Sequence, residues 1–158
     1  ALAMANRIFV LDKGRIRQSG TPEDIYANSK NPFVANFIGM TNFIEGKALN
    51  KNVIEIGNQK LDFIGHGYTK GTKVLVAARP ECIQLSKKTG KNIFNGTVVD
   101  VEFLGSFLRI YLETSFMPNQ RLIIDKPMIG VFDKSTAIGD VLGFTMSPTY
   151  LNVYECEE

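Results

Sequence analysis

The sequence predicts a mainly β protein: a small barrel or a pair of barrels, preceded by a short segment that mixes strands and helices. From Asn42 onward, helical periodicity disappears and short strand-like runs alternate with turns rich in Gly, Asn and Lys. This pattern is typical of antiparallel barrels rather than of a parallel sheet. Before Asn42, the chain carries helix-start signals. The change near residues 39–42 predicts a junction between residues 1–40 and a domain of residues 41–158.

The first segment opens with ALAMAN and continues with the apolar run IFVLD. Alanine favours helices and no N-cap residue precedes it, so residues 1–5 are predicted to be the end of a helix. The run Ile8–Leu11 is followed by the turn Asp12-Lys13-Gly14 and by the alternating run Arg15–Gly20. Because Gly14 can adopt the positive φ of a tight turn, these runs predict a β-hairpin.

Two short helices are predicted next, each with a capping residue before a proline. Thr21 precedes Pro22, and Asn31 precedes Pro32. These residue types satisfy the free N–H groups of a first turn, and proline suits the first helical position. The second helix is predicted to end at Gly39 and to carry several apolar side chains on one face, namely Phe33, Val34, Phe37 and Ile38.

The remainder of the chain predicts nine short strands separated by turns. The predicted strands are Phe43–Ala48, Val53–Ile56, Lys60–Ile64, Lys73–Ala78, Gly96–Phe103, Phe107–Leu112, Gln120–Ile124, Val141–Met146 and Leu151–Tyr154. No internal repeat is visible in the sequence at this level.

Composition excludes several classes of function. The chain has 158 residues, is 44% hydrophobic and 22% charged, and carries a net charge of +2. The near-neutral charge and the scattered phenylalanines argue against a nucleic-acid partner. The longest apolar run, Val74–Ala78, is far shorter than the roughly 20 residues of a membrane span. Cys82 and Cys156 lie in no metal-like spacing and are predicted to be free thiols.

The sequence indicates no catalytic, cofactor or metal site. His66 is the one histidine, lies between two glycines and has no nearby carboxylate pair, so it is predicted to be a surface loop residue. Neither cysteine adjoins a histidine, as a thiol nucleophile requires. The glycine-rich phosphate loop that ends in Gly-Lys-Ser/Thr is absent from the sequence.

Residues 1–46, ALAMANRIFVLDKGRIRQSGTPEDIYANSKNPFVANFIGMTNFIEG, closely resemble the end of the nucleotide-binding domain of bacterial ABC importer ATP-binding subunits. The relatives are the maltose, polyamine, ferric-iron and sulfate types. The resemblance implies that the phosphate loop, signature motif, Walker B acid and switch histidine lie upstream of Ala1. We therefore expect this chain to be non-catalytic, whereas the parent subunit would be an ATPase that uses ATP and Mg.

The rest of the chain resembles the transport-associated OB (TOBE) module of the same subunits. The matching runs are Val76–Glu81, Gly96–Ser106, Ile138–Val141 and Leu151–Tyr154, the last after Ser147-Pro148. Asn152 departs from the family pattern, in which a histidine is common, and residues 117–136 match no part of it. The resemblance implies an OB-like fold and a cytoplasmic location at the inner face of the plasma membrane. It also implies membrane permease subunits as partners of the parent.

Two functions follow as expectations from this resemblance. The first is a regulatory and dimer-stabilising module, with Arg79, Glu81 and the turn Leu104-Gly105-Ser106 as interface residues. Phe33, Phe37 and Ile38 would dock on the ATPase core, and a second copy of the chain would form a homodimer, through exchange of residues 1–40 in one version.

The alternative function is a sensor of small oxyanions or solutes, as in molybdate-type OB modules. Ser106, Thr97 and the cluster Lys87–Lys91 would supply its hydrogen-bond donors. A solvated turn is the competing interpretation of this lysine cluster.

Overall fold

The computed structural model describes residues 4–128 and 136–156. The chain divides into two compact units, with the boundary between Thr41 and Asn42. No helix of the described residues is long and apolar enough to cross a membrane.

The first unit contains a hairpin and two short helices, as predicted. Its elements are β1 (Ile8–Asp12), β2 (Arg15–Gly20), α1 (Pro22–Ala27) and α2 (Pro32–Ile38). β1 and β2 pair in antiparallel register. The predicted caps are confirmed, since Thr21 accepts a hydrogen bond from the Asp24 N–H and Asn31 from the Val34 N–H.

One detail of the first unit differs from the prediction. Met4 to Arg7 form a turn and bends, and none of them is helical. The other residues of the predicted helix end, 1–3, lie outside the described residues. Gly39 ends α2 as predicted, with an extended backbone at φ −173°.

A small core holds the first unit together. Val10, Ile25 and Val34 are almost completely buried against one another. Gln18 of β2 is buried beside them, donates to the Asn28 carbonyl and accepts from the Lys30 N–H. This amide ties the hairpin to the loop between the helices.

The described residues of the second unit form ten strands in two five-stranded antiparallel sheets. The strands are β3 (Asn42–Asn50), β4 (Val53–Ile56), β5 (Gln59–Asp62), β6 (Lys73–Ala78), β7 (Gln84–Leu85), β8 (Ile93–Phe103), β9 (Phe107–Glu113), β10 (Leu122–Pro127), β11 (Val141–Thr145) and β12 (Leu151–Glu155). One sheet has the order β12-β6-β3-β4-β5, and the other has the order β10-β9-β8-β11-β7.

The two strand orders show that the second unit consists of two equivalent halves that exchange their last strands. β3 to β6 and β8 to β11 are arranged alike, each half as four consecutive strands. After β6 the chain crosses to the other sheet, where β7 pairs with β11. After β11 it crosses back, and β12 pairs with β6. The unit is therefore a pair of OB-like halves, each completed by a strand that follows the other half.

Single residues of the two halves also correspond to one another. Asn42, Gly46 and Ala48 of β3 correspond to Asn92, Gly96 and Val98 at β8. Each strand has a bulge after the last of these positions. At both glycines an added Cβ would come within about 3 Å of the neighbouring strand's backbone, at 2.9 Å from the Glu55 carbonyl oxygen for Gly46. The internal repeat that the sequence did not reveal is thus present in the fold.

Two asparagine side chains join the sheets. The Asn42 amide accepts from the Ile123 N–H and donates to the Ile123 carbonyl, both at 2.8 Å. The Asn92 amide makes the same pair of bonds to Asp62, at 2.7 and 2.8 Å. Each asparagine thereby occupies the free backbone groups of an edge strand of the opposite sheet, and one continuous hydrophobic core fills the space between the sheets.

The predicted strands are confirmed with shifts at their ends, except that β7 was not predicted. Two residues pair in β7, too few for a periodic pattern to show. The segment 117–136, which matches no part of the family pattern, contains the later part of the β9–β10 loop and β10. Its residues 129–135 lie outside the described residues.

Candidate functional site

The segment Arg79-Pro80-Glu81 is the crossing point between the two sheets. β6 ends at Ala78, and Pro80–Cys82 form a short 3-10 turn, because proline cannot continue the ladder. Arg79 is only 7% exposed. Burial lowers the pKa of its guanidinium, while nearby Tyr154 and Cys82 act in the opposite direction. Arg79 therefore lies inside the junction of the two halves.

Glu81 lies in the 3-10 turn, which packs beside β10. Burial raises the pKa of its carboxyl group, and Asp125 raises it further while Arg109 lowers it. Glu81 keeps a solvent-exposed surface. Arg79 is therefore buried, whereas Glu81 lies at the surface.

A polar ladder crosses β8, β9 and β10 beside Glu81. Glu102, Arg109 and Asp125 are opposite one another in the strand register. The Arg109 guanidinium donates to both Asp125 oxygens, at 2.9 and 3.1 Å, and this bond raises the pKa of Arg109. The Tyr111 hydroxyl donates to Glu102, which raises the pKa of Tyr111. Carboxylates outnumber the cations on this part of the surface.

The turn Leu104-Gly105-Ser106 closes the β8–β9 hairpin. Gly105 has φ +83°, a value that requires little strain only for glycine. The Leu104 N–H donates to the Phe107 carbonyl, and the Ser106 carbonyl accepts from Met128. All three turn residues are exposed, and so is Phe103 before them, at 69%. The positive φ of this tight turn is a sufficient reason for a glycine at position 105, and no ligand is needed to explain it.

The predicted docking face in α2 divides into two parts. Phe37 is 65% exposed and Phe33 39% exposed, and their rings stack at 5.9 Å between centroids. Ile38 instead packs against the small core of the first unit. The hairpin adds exposed apolar side chains that were not predicted, namely Phe9, Leu11 and Ile16.

The donors expected for an oxyanion site do not come together within the second unit. Ser106 follows the carboxyl end of β8, whereas Lys87–Lys91 precede its start at Ile93. At about 3.3 Å per residue, the 11 residues of β8 separate these ends by roughly 35 Å. Thr97 lies between them, on the outer surface of the sheet.

His66 is buried rather than on the surface, which corrects the sequence-based prediction. It is 8% exposed, and its Nδ1 accepts from the Tyr68 N–H at 3.1 Å. Its Nε2 lies 2.6 Å from the Asn50 carbonyl oxygen. Since Nδ1 is an acceptor, Nε2 carries the proton and donates to that carbonyl. Both ring nitrogens are therefore used to hold the loop that precedes β6.

Neither a metal-ligating cluster nor a reactive thiol occurs among the described residues. No group of three or more His, Cys, Asp or Glu residues that could hold a metal ion occurs among residues 4–128 and 136–156. Cys82 and Cys156 are free thiols, and burial raises the pKa of both. A raised pKa keeps a thiol protonated and unreactive near neutral pH.

Residues 76–149 match the family model described as "TOBE domain". This stretch is therefore similar to TOBE domains. The match runs from β6 to the turn before β12, so it includes the crossing segment, the polar ladder and the whole second half of the unit.

The whole chain is similar to ATP-binding subunits of importers. It is 34% identical over 158 residues to the spermidine/putrescine import ATP-binding protein PotA of Clostridium acetobutylicum, covering 100% of this chain and 42% of that protein. It is 31% identical to PotA of Clostridium novyi, covering 97% of this chain and 41% of the relative. The chain thus spans about two fifths of these relatives, in their C-terminal part. These matches confirm the predicted resemblance.

A solved structure supports the OB-like fold. The cytoplasmic molybdate-binding protein ModG, with molybdate bound, superposes with a TM-score of 0.59. The superposition covers 71% of this chain and 94% of ModG at 14% sequence identity. At this identity the likeness concerns the fold alone, and it confirms the mainly β, OB-like prediction.

The sequence led to part of this site and missed the rest. It drew attention to the crossing segment and to the β8–β9 turn through their Pro and Gly. It missed the two asparagine clamps, because they depend on residues far apart in the chain. The one signal that could have found the clamps was the recurrence of Asn and, four residues later, Gly at residues 42–46 and 92–96.

Proposed function

We propose that this chain is a non-catalytic assembly and regulatory module of the ATP-binding subunit of an ABC solute importer. One observation carries the proposal: the chain aligns over its full length with importer ATP-binding subunits but covers only about two fifths of them. Its sequence also lacks a phosphate loop. ATP and Mg would be held by the remaining part of such a subunit.

The relatives' names suggest the solute class. Both are spermidine/putrescine import proteins, so we assign polyamines to the importer that this module would serve. Its partners would be the membrane permease subunits of that importer, and its place the cytoplasmic side of the plasma membrane.

The first unit would attach the module to the nucleotide-binding lobe. A unit whose core is built from three well-buried residues is too small to be stable alone. It exposes Phe9, Leu11 and Ile16 on the hairpin and the stacked pair Phe33 and Phe37 on α2. Apolar surface of this kind supports docking on a further domain. Ile38 would contribute indirectly, by fixing α2 to the small core.

The second unit would hold two subunits together while their catalytic lobes open and close. Its two halves share one core and are locked by the exchanged strands and by the clamps of Asn42 and Asn92. A rigid body of this kind can transmit force between the subunits. Arg79 would stabilise the junction from inside, and Glu81 and the turn Leu104–Ser106 would lie at its surface.

The oxyanion-sensing alternative receives less support. ModG is a molybdate-binding protein, but in this chain Ser106 and the lysine cluster lie at opposite ends of β8. A binding site formed from Ser106 and the lysine cluster would need residues from two copies of the chain.

Analytical ultracentrifugation and native mass spectrometry of the chain test the proposal. We expect a concentration-dependent dimer that takes up neither molybdate nor sulfate and neither binds nor hydrolyses ATP. A monomer at all concentrations would contradict the dimer-stabilising role. A stoichiometric mass gain with molybdate, lost in the Ser106→Ala variant, would favour the sensor.

A further inference from the structure

The connection between β9 and β10 differs from its equivalent in the other half of the unit. β4 and β5, which correspond to β9 and β10, are joined by two residues, Gly57 and Asn58. β9 and β10 are joined by residues 114–121. Binding residues are concentrated on loops that a rigid scaffold positions. The longer connection is therefore a place where the second half can carry a site that the first half lacks.

The base of this connection is fixed in the core. Phe116 and Met117 are both buried, and the Phe116 ring meets the Phe94 ring edge-on at 5.5 Å between centroids. The Gln120 N–H donates to the Met117 carbonyl across a turn in which Asn119 has φ +65°, a conformation that asparagine tolerates. The connection is thus held in one shape without a ligand, as preformed binding sites are.

A cavity of about 340 Å³ lies within this connection and the adjoining strand ends. It is lined by Glu113, Thr114 and residues 117–121. Small-molecule sites occupy roughly 300–1,000 Å³, so this cavity has the size of a small one. At about 30 Å³ for each water molecule, it has room for a ligand of roughly ten non-hydrogen atoms.

The Thr114 side chain brings an unused polar group to the cavity. Its methyl group packs at Gly96 of β8, where an added Cβ would lie 3.1 Å from it. Its hydroxyl oxygen is buried and, alone among the buried side-chain oxygens and nitrogens of the described residues, has no hydrogen-bond partner in the protein. Such a group lowers stability unless something binds it. Because Thr114 lines the cavity, a ligand there can supply the missing hydrogen bond.

Two opposite charges flank the cavity without neutralising each other. Leu112 and Leu122 form the last pair of β9 and β10, and Glu113 and Arg121 are the residues that follow on either side of it. The ion pairs of the described residues do not include one between these two side chains. The Arg121 guanidinium lies instead over the Tyr111 ring, 6.0 Å from its centre. In that position its N–H edge can still bind a carboxylate in a bidentate manner.

We infer that this cavity binds a small zwitterion with the charge pattern of a free α-amino acid. Arg121 would bind the carboxylate, Glu113 the ammonium group, and the Thr114 hydroxyl one of the two. The amides of Asn119 and Gln120 would face the ligand's side chain. The inference goes beyond the assembly role proposed above and does not depend on it, because all the lining residues belong to one copy of the chain.

The charges of the lining favour a zwitterion over the two ligand classes considered so far for such a module. An oxyanion such as molybdate would be repelled by Glu113. A polyamine, whose charges are all positive, would be repelled by Arg121. A ligand with one charge of each sign is attracted by both residues. Since both side chains are exposed, their charges are screened by water, and we expect a dissociation constant of about 1 mM.

Titration of the whole chain with L-glutamine, followed by the backbone amide resonances of residues 113–121, tests the site. The amide of this probe matches those of Asn119 and Gln120, and L-serine and L-methionine test other side chains. Saturable shifts are expected. N-acetyl-L-glutamine lacks the ammonium group and L-glutaminamide lacks the carboxylate, so each should bind about tenfold more weakly.

Two charge variants test the assigned contacts. Arg121→Gln and Glu113→Gln should each weaken L-glutamine binding by about tenfold, because each removes a charge-assisted hydrogen bond. Both residues are exposed, so the variants are expected to fold, and circular dichroism checks this. Arg15→Gln is the matched control, since Arg15 is an exposed arginine of β2, in the other unit. It should bind L-glutamine as the wild type does.

Thr114→Val separates a binding role from a structural one. Because the hydroxyl has no partner in the protein, its loss should leave the urea midpoint of the ligand-free chain unchanged or raised. The same variant should weaken L-glutamine binding by about fivefold. Thr149→Val, which removes an exposed hydroxyl outside the site, should alter neither property. A lowered midpoint in Thr114→Val would show a structural role and overturn the assignment of its hydroxyl.

The remaining outcomes decide the inference as a whole. If none of the three amino acids causes saturable shifts at concentrations up to about 10 mM, the cavity is a hydrated groove and the inference is wrong. Equal binding of N-acetyl-L-glutamine or sulfate would indicate an anion site, and equal binding of L-glutaminamide a cation site, and either would overturn the zwitterion. The oligomeric state of the chain bears on the assembly role alone, so the two proposals can fail separately.

Discussion

Replacing Asn42 by alanine should lower the stability of the second unit by a large amount for the loss of one side chain. Its amide makes three hydrogen bonds: two to the backbone of Ile123 at 2.8 Å and one to the Ala78 carbonyl at 3.2 Å. Each contributes about 0.5–1.5 kcal/mol net, and Asn42 is 4% exposed, so water replaces them poorly. We expect a loss of about 3 kcal/mol in the free energy of unfolding.

Urea unfolding followed by circular dichroism measures this change through the midpoint and the slope. Asn95→Ala is the matched control, since Asn95 lies on β8 with its side chain exposed. It should change the free energy of unfolding by less than about 0.5 kcal/mol.

Asn42→Asp sharpens the test. The carboxylate can still accept from the Ile123 N–H, but it places its second oxygen against the carbonyls of Ile123 and Ala78, which also only accept. This variant should therefore be less stable than Asn42→Ala at neutral pH and should recover in acid, where the protonated carboxyl can donate. If Asn42→Ala unfolds at the same urea concentration as Asn95→Ala, the clamp does not hold the two sheets together.

Three further variants test other parts of the second unit. His66→Ala should cost about 2–4 kcal/mol, because it leaves the Asn50 carbonyl and the Tyr68 N–H without their partners and opens a cavity; an unchanged urea midpoint would argue against the buried position. Gly46→Ala should cost about 1–3 kcal/mol, since its Cβ would lie 2.9 Å from a backbone oxygen; a neutral effect in thermal melting would contradict that close approach. Burial raises the pKa of Tyr154 to about 12, from an ordinary value near 10. The neutral phenol therefore contributes its full stabilisation to the folded state below pH 10, and this contribution is lost as the pH rises towards 12. Tyr154→Phe should lose less stability across that window than the wild type, and Tyr150→Phe, which removes an exposed hydroxyl, should behave like the wild type.

Local chemistry explains why much of the first unit was predicted correctly. Thr21 and Asn31 bind N–H groups three residues away. The Asp12–Arg15 turn likewise joins neighbours in the chain. Interactions between residues this close in the chain can be recognised from a short stretch of sequence. The end of β6 before Pro80 was predictable for the same reason, because proline acts on its own backbone.

The misplaced residues depend on partners far away. His66 looked like a surface residue because its flanking glycines indicate a turn, yet the ring is enclosed by its contacts with the Asn50 carbonyl and with Tyr68. The helical periodicity of α2 was predicted correctly. The position of the small core, which the periodicity does not specify, decided that Ile38 is packed and Phe37 is exposed.

The sequence by itself determined the mainly β class, the hairpin, the capped helices and the family resemblance, since each is written in contiguous residues. Only the tertiary structure decided that two equivalent halves exchange their last strands. Strand pairing depends on backbone hydrogen bonds between segments tens of residues apart, and the alternation of side chains is the same whichever sheet a strand joins. The two sets of strands are joined by single amide side chains, at Asn42 and Asn92, whose partners no local pattern specifies.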